Sequence, residues 1–172
     1  MKNKISIFWF RRDLRLEDNV GLSNALKGDY PILPIFIFDE AIINELPEND
    51  SRVNFIYQNL NRINANLLQR NATLLVLKGE VHQVWSNLIK TYHIDTVYTN
   101  RDYEPYAKTR DKAVEQLLFK EDIKFKSFKD QVIFEGQQVL KSDNTPYTVY
   151  TPYKNKWRSM FTLDSLASCH SE

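Results

Sequence analysis

The chain has 172 residues, 42% apolar and 26% charged, a composition that fits one folded globular domain and excludes a disordered or collagen-like protein. Its 23 basic and 22 acidic residues give a net charge of +1, which provides no overall field to attract nucleic acid or a membrane surface. The single cysteine, Cys169, excludes an intramolecular disulfide and indicates a cytoplasmic compartment, and the four glycines cannot form a dinucleotide fingerprint or a P-loop.

Five short apolar runs predict five strands, at residues 5–10, 31–38, 73–77, 95–99 and 124–128. The first three runs are continuously apolar, as expected for strands buried on both faces of a parallel sheet. The first run is too short for a signal sequence or a membrane span, so we expect no membrane contact.

Helices are predicted between these runs, because apolar residues recur there at intervals of three and four. We expect Ser51 to cap the longest helix, Gly79 to precede another and Pro105 to open a third. The repeated order of strand and helix predicts a three-layer, doubly wound α/β fold with a mainly parallel, Rossmann-like, five-stranded sheet in the order 3-2-1-4-5. Ligands of such folds bind beyond the carboxyl ends of the strands, here at residues 11–19, 39–52 and 100–106.

The turn after the first strand concentrates three arginines and three acidic residues within residues 8–19. One interpretation is a set of surface ion pairs, in which Asp13 pairs with a neighbouring arginine and Asp18 or Asn19 caps the next helix. The other interpretation is a ligand site at the carboxyl edge of the sheet. Both remain open on these residues alone.

Two carboxylates, Asp102 and Glu104, follow the fourth strand. We expect them to point to opposite sides of the loop, which excludes an acid/base pair but leaves each able to accept a hydrogen bond from a ring N–H or a ribityl hydroxyl. The alternative is a pair of solvated charges before a helix N-terminus. Arg52 opens the long helix, where we expect it beside Asp39, and its alternative is an ordinary surface role.

Other polar and aromatic residues favour structural roles. The three histidines lack metal-ligand spacing, so no metal site is predicted. Trp9, Trp85 and Trp157 are expected in the core or at an interface rather than in an electron-transfer chain. Lys154, Lys156 and Arg158 surround Trp157, and we interpret them as one polar helix face because so few cations bind phosphates only weakly.

Five blocks, taken together, resemble the N-terminal α/β domain of the DNA photolyase and cryptochrome family. They are FWFRRDLRLEDN, IFIFDE, SRVNFIYQNL, YTNRDYEPYAKTRDKAV and PYTVYTPYKNKW, in the family's order. The resemblance implies an antenna domain at residues 1–130 and a connector at residues 131–172 that leads to a helical domain. That domain binds FAD, receives damaged DNA and splits pyrimidine dimers with light, so this chain alone is not expected to repair DNA or to bind it tightly.

The resemblance also implies a light-harvesting chromophore. Folate-type relatives carry Asn-Glu where this sequence has Tyr106 and Ala107, so 8-hydroxy-5-deazaflavin or FMN is favoured over folate. The residues that inherit an antenna role are Arg11, Phe36, Ile37, Phe38, Asp39, Arg52, Asp102 and Glu104. The alternative function is a non-enzymatic nucleotide-binding or protein-interaction module on the same fold.

Overall fold

A computed structural model describes residues 3–166 of the chain. Its sheet has five strands, all parallel to their neighbours, in the order β3-β2-β1-β4-β5. The strands are β1 (Lys4–Phe10), β2 (Ile32–Asp39), β3 (Leu75–Gly79), β4 (His93–Asn100) and β5 (Lys124–Phe128). The predicted fold and strand order are therefore confirmed.

Helices connect the strands and cover both faces of the sheet. They are α1 (Val20–Leu26), α2 (Glu40–Ile43), α3 (Ser51–Leu68), α4 (Val81–Thr91), α5 (Pro105–Phe119) and α6 (Tyr150–Met160), with a final 3₁₀ turn at Leu163–Leu166. Helices α4 and α5 pack on one face, and α1 and α3 on the other.

Strand β1 shows why the sheet is buried on both sides. Ile7 and Trp9 point into the core beneath α4 and α5, whereas Phe8 and Phe10 point into the core beneath α1 and α3, because successive side chains alternate between faces. All four are at most 1% exposed. Each such side chain contributes roughly 1.5–3 kcal/mol of transfer free energy, so β1 anchors both cores.

Three local expectations were wrong. Strand β3 is an edge strand with Val76 43% exposed, because only β2 pairs with it. Asp50, not Ser51, caps α3, because its carboxylate accepts from the backbone N–H of Arg52 at 2.8 Å. The segment 39–52, expected as a loop, contains the single turn of α2, which Asp39 caps through the N–H of Ala41.

Residues 129–149 contain no helix or strand and lead to α6. Asp130 fixes the start of this segment, just before the predicted connector, because its side chain is 1% exposed and accepts two hydrogen bonds of 2.8 Å from Arg15. None of the helices within residues 3–166 combines the length and apolar composition that a membrane span requires.

Candidate functional site

A cleft of about 500 Å³ opens at the carboxyl ends of β1 and β2 and beside the loop after β4. This volume lies within the roughly 300–1,000 Å³ typical of small-molecule sites, and the location is where doubly wound sheets bind ligands. The cleft is lined by apolar side chains of the strand ends, α2 and α3, namely Trp9, Phe36, Ile37, Phe38, Ile42, Ile43, Leu46, Val53 and Ile56, with Ala107 of α5. Its polar lining consists of Arg11, Arg12, Asp39, Arg52, Asp102, Glu104, Tyr106 and Arg110.

The structure brings all eight sequence-predicted site residues to this cleft. They are Arg11, Phe36, Ile37, Phe38, Asp39, Arg52, Asp102 and Glu104. They converge because β1, β2 and β4 are adjacent and parallel, so their carboxyl ends meet at one edge. Their role in binding stays a prediction.

The apolar wall continues from β2 into α2. The rings of Phe36 and Phe38 pack edge to face with centroids 5.0 Å apart. Ile42, Ile43 and Leu46 extend this surface. No sequence pattern predicts their place, because a four-residue helix has too few residues to show a period.

Asp39 orders two walls of the cleft. Its Oδ1 accepts from the N–H of Ala41 at 3.0 Å, which starts α2, and its Oδ2 accepts from the hydroxyl of Tyr106 at 2.7 Å. Burial, together with this hydrogen bond, raises the pKa of Tyr106 to about 12, so the phenol stays protonated at neutral pH. Both oxygens of Asp39 therefore have partners within the protein.

Two guanidinium groups approach the indole of Trp9 at the floor of the cleft. The Cζ atoms of Arg11 and Arg110 lie 5.1 and 5.0 Å from a Trp9 ring centroid. Arg11 pairs with Asp111 and donates to the carbonyl oxygen of Asn100, and Arg110 donates to Asp111 at 3.0 Å. The Arg11 side chain is 6% exposed. Arg11 therefore lies at the floor of the cleft, as a residue whose charge is already paired within the protein.

Sequence spacing could have identified Arg110. It follows Tyr106 by four residues in α5, so the two lie on one helix face, and its Cζ lies 5.8 Å from the Tyr106 ring centroid. The charge pattern along the chain does not reveal its partner Asp39, whose Oδ2 lies 3.9 Å from Nη1 of Arg110.

Arg52 lies at the rim and is paired within its own helix start. Its Nη2 and Nε donate to the carboxylate of Asp50 at 2.6 and 2.9 Å, and its side chain is 68% exposed. The side-chain and backbone hydrogen bonds from Arg52 lower the pKa of Asp50 to about 2. Arg52 and Asp39 both line the cleft, but the carboxylate that pairs with Arg52 is that of Asp50, the α3 cap. The Nη1 protons take no part in this pair.

Asp102 and Glu104 share one partner on the opposite rim. Nη1 of Arg12 lies 3.5 Å from Asp102 Oδ1 and 3.5 Å from Glu104 Oε1. The expectation that the two carboxylates point to opposite sides was wrong, because alternate residues of an extended segment lie on the same side. Asp102 is the more buried, with its side chain 10% exposed against 65% for Glu104.

The turn after β1 is held by a buried amide network. Asn100 donates to Asp13 at 2.6 Å and to Asn19 at 2.8 Å, and accepts from the N–H of Gly21 at 2.8 Å. Asn19 caps α1, as predicted, by accepting from Leu22 N–H at 3.0 Å. The ion pair of Asp13 with a neighbouring arginine, one of the two interpretations, is not formed: the guanidinium groups of Arg11, Arg12 and Arg15 pair with other carboxylates, and Asp13 accepts instead from the backbone N–H of Arg11 at 2.9 Å.

Side chains also accept hydrogen bonds from the first backbone N–H groups of α1. Besides the Gly21 contact, the N–H of Val20 donates to Asp130 at 3.0 Å. This end of α1 therefore offers these two donors no vacant position for a phosphate.

The three tryptophans lie in two different environments. Trp9 and Trp85 lie in the core, as predicted, with ring centroids 5.4 Å apart. Trp157 packs between Phe134 and Phe161. Within residues 3–166, no group of three or more histidine, cysteine or acidic side chains could hold a metal ion, and Cys169 and His170 lie outside the described residues.

Comparison with known proteins gives a consistent family assignment. The DNA photolyase family model matches residues 6–170. A deoxyribodipyrimidine photo-lyase of a Synechococcus species is 31% identical over 89% of this chain and 32% of its own length. That of Alkalihalophilus pseudofirmus is 32% identical over 90% of this chain and 33% of its own length. The chain thus spans about a third of these relatives.

Two solved structures have the same fold. A bacterial class III photolyase from Agrobacterium tumefaciens superposes with a TM-score of 0.79 at 30% identity, over 92% of this chain and 32% of its own. An archaeal photolyase from Sulfolobus tokodaii superposes with a TM-score of 0.77 at 28% identity, over 91% of this chain and 35% of its own. The latter is described with two FAD molecules and the implication of a novel light-harvesting cofactor.

Proposed function

The chain belongs to the DNA photolyase family and corresponds to its N-terminal domain, and we propose that it binds a light-harvesting chromophore in the cleft. The observation that carries the proposal is the convergence of the eight predicted antenna residues on one cleft of about 500 Å³. Such a chromophore supplies light absorption and energy transfer to a second cofactor.

The lining of the cleft suits a flat aromatic ring with a polar edge. Phe36, Phe38 and Ile43 provide apolar contact area, and Asp102 and Arg52 contribute charged groups to the same lining. This combination of an apolar wall and a few oriented polar groups is the usual make-up of a small-molecule site. Asp39 orients the wall of the cleft by accepting from Ala41 and Tyr106, and the second lone pair of each oxygen leaves it able to accept from a ligand as well.

We propose 8-hydroxy-5-deazaflavin or a flavin such as FMN as the chromophore, in preference to folate. Tyr106 and Ala107 line the cleft at the position where folate-type relatives differ, and the Tyr106 hydroxyl is committed to Asp39. The description of the Sulfolobus protein with two FAD molecules supports a flavin-type ring for a related chain. FAD is therefore a third candidate ring compound.

A non-enzymatic module remains the second candidate. Binding of an adenine nucleotide through the start of α1 is disfavoured, because Asn100 and Asp130 already accept from its first amides. Protein interaction has one supporting observation, since α6 buries no residue and Tyr150 and Leu163 are 73% and 81% exposed. That surface equally suits contact with the remaining two thirds of a photolyase.

For the whole protein we propose the family's chemistry. A helical domain carrying FAD would receive damaged DNA and split the dimer in light, in the reducing cytoplasm that the single cysteine suggests. No residue of this chain is assigned to that step.

The proposal is tested by titrating the wild-type chain with FMN, FAD, 8-hydroxy-5-deazaflavin and ATP, following ring fluorescence or, for ATP, heat. The antenna role predicts saturable binding of at least one ring compound and weaker binding of ATP. Tighter binding of ATP than of every ring would favour the nucleotide-binding module instead.

A further inference from the structure

Glu135, in the connector, contacts the loop after β4 from the side away from the cleft. One carboxylate oxygen pairs with Nη1 of Arg101, and the other accepts from the hydroxyl of Tyr103 at 2.5 Å. The Glu135 side chain is 17% exposed. None of these three residues lines the cleft.

The loop alternates between two partners. Asp102 and Glu104 face Arg12 at the cleft rim, whereas Arg101 and Tyr103 face Glu135. Because alternate residues of an extended segment share a side, fixing one pair also fixes the direction of the other. The connector thus contacts the back of the loop, formed by Arg101 and Tyr103, whereas the front of the loop, formed by Asp102 and Glu104, lies at the cleft rim.

The contacts on the front are longer than those on the back. The two contacts with Arg12 are each 3.5 Å, and the N–H of Glu104 lies 3.3 Å from Asp102 Oδ1. Arg101 is also tied to β5, through its N–H to the carbonyl oxygen of Phe128 at 2.7 Å. Among the contacts that residues 102–104 make through side chains, the hydrogen bond from the Tyr103 hydroxyl to Glu135 is the shortest. Burial and this bond raise the pKa of Tyr103, which keeps it a donor at neutral pH.

We propose that Glu135 is a positioning residue for the cleft: by holding Arg101 and Tyr103 it orders the loop that presents Asp102 and Glu104, and so couples the connector to ligand affinity. The affinity part rests on the proposed function, whereas the ordering of the loop does not. Displacement of the connector would then loosen one rim of the cleft without touching the ligand.

The test compares Glu135→Ala, Tyr103→Phe, their double variant and the control Asp143→Ala. Asp143 is a connector carboxylate whose side chain accepts from Thr145, outside the loop. Hydrogen exchange is measured at the amides of residues 103 and 104, and FMN affinity by fluorescence. Tyr103→Phe removes one hydroxyl only, so it tests whether the contact with Glu135 orders the loop even where Glu135→Ala folds poorly.

We expect Glu135→Ala to accelerate exchange at both amides and to raise the FMN dissociation constant roughly 2- to 30-fold, with Asp143→Ala unchanged. The double variant should bind FMN no more weakly than Glu135→Ala alone, because both changes remove the same contact between Glu135 and Tyr103. Unchanged exchange in both single variants overturns the inference whether or not the wild type binds FMN. Faster exchange with unchanged FMN affinity, in a wild type that binds FMN, overturns the coupling of the connector to ligand affinity. A wild type that binds no ring removes the proposed function, and the exchange result then decides alone whether Glu135 orders the loop.

Discussion

The hydroxyl of Tyr106 donates to Oδ2 of Asp39 at 2.7 Å and joins the first turn of α5 to the end of β2. Because Asp39 also caps α2, this one carboxylate fixes two walls of the cleft. An acidic residue that sequence reasoning assigns to the ligand is therefore part of the scaffold that shapes the site.

Alkaline titration tests this bond. The pKa of Tyr106 is raised from 10.0 to about 12, so the folded chain keeps a proton that the unfolded chain loses. Its contribution to stability is fully present below pH 10 and is lost as the pH rises toward 12. We expect the late-titrating part of the phenolate absorbance to shrink in Tyr106→Phe. Tyr57→Phe, at a side chain that is 57% exposed and outside the cleft, is the control for folding.

Arg52→Ala should weaken ring binding about 10-fold, because a charged donor to the ligand is lost. The pair with Asp50 shares this charge, which places the effect at the low end for such donors. Arg62→Ala, an exposed change on the same helix and outside the cleft, is the control for fluorescence titration. Equal affinities of all three proteins would leave Arg52 with a surface role only.

Asn100→Ala should lower the free energy of unfolding by about 2–4 kcal/mol, because it leaves Asp13, Asn19 and the Gly21 N–H without this buried partner. Chemical denaturation measures the loss. Asn24→Ala removes one half-buried bond on α1 and should cost less than about 1 kcal/mol. Similar losses in the two variants would contradict the network's importance.

The isolated chain should not repair cyclobutane dimers in light, because it spans about a third of the length of the photolyases it matches and we propose the FAD chemistry for the other part. The assay is illumination with dimer-containing DNA, with a complete photolyase as the positive control. Repair by this chain without added flavin would overturn the assignment of the chemistry to a helical domain.

The sequence predicts the sheet well because burial on both faces produces continuous apolar runs in the central strands, as in β1. It also predicts the position of the cleft, because parallel strands place their following loops at one edge. Strand β3 departs from this rule. Its apolar run resembles that of a central strand, but its place at the edge leaves Val76 exposed.

Partners within the site are harder to predict because they are distant in sequence. Arg11 and Asp111 are 100 residues apart, and Asn100 and Asp13 are 87 apart, so no local pattern reveals either contact. Arg52 shows the opposite case, since its partner lies two residues away and competes with the predicted one. Charge patterns locate this site but do not divide its residues into scaffold and ligand contacts.

The most direct test of the central claim is an FMN and 8-hydroxy-5-deazaflavin titration of the wild type beside Ile43→Trp. The added ring would fill the cleft beside Phe38, while Phe55→Trp places the same ring on α3 outside the cleft, where Phe55 is 67% exposed. We predict saturable binding by the wild type and Phe55→Trp and loss of binding by Ile43→Trp. Equal binding by all three proteins would contradict a chromophore site in the cleft.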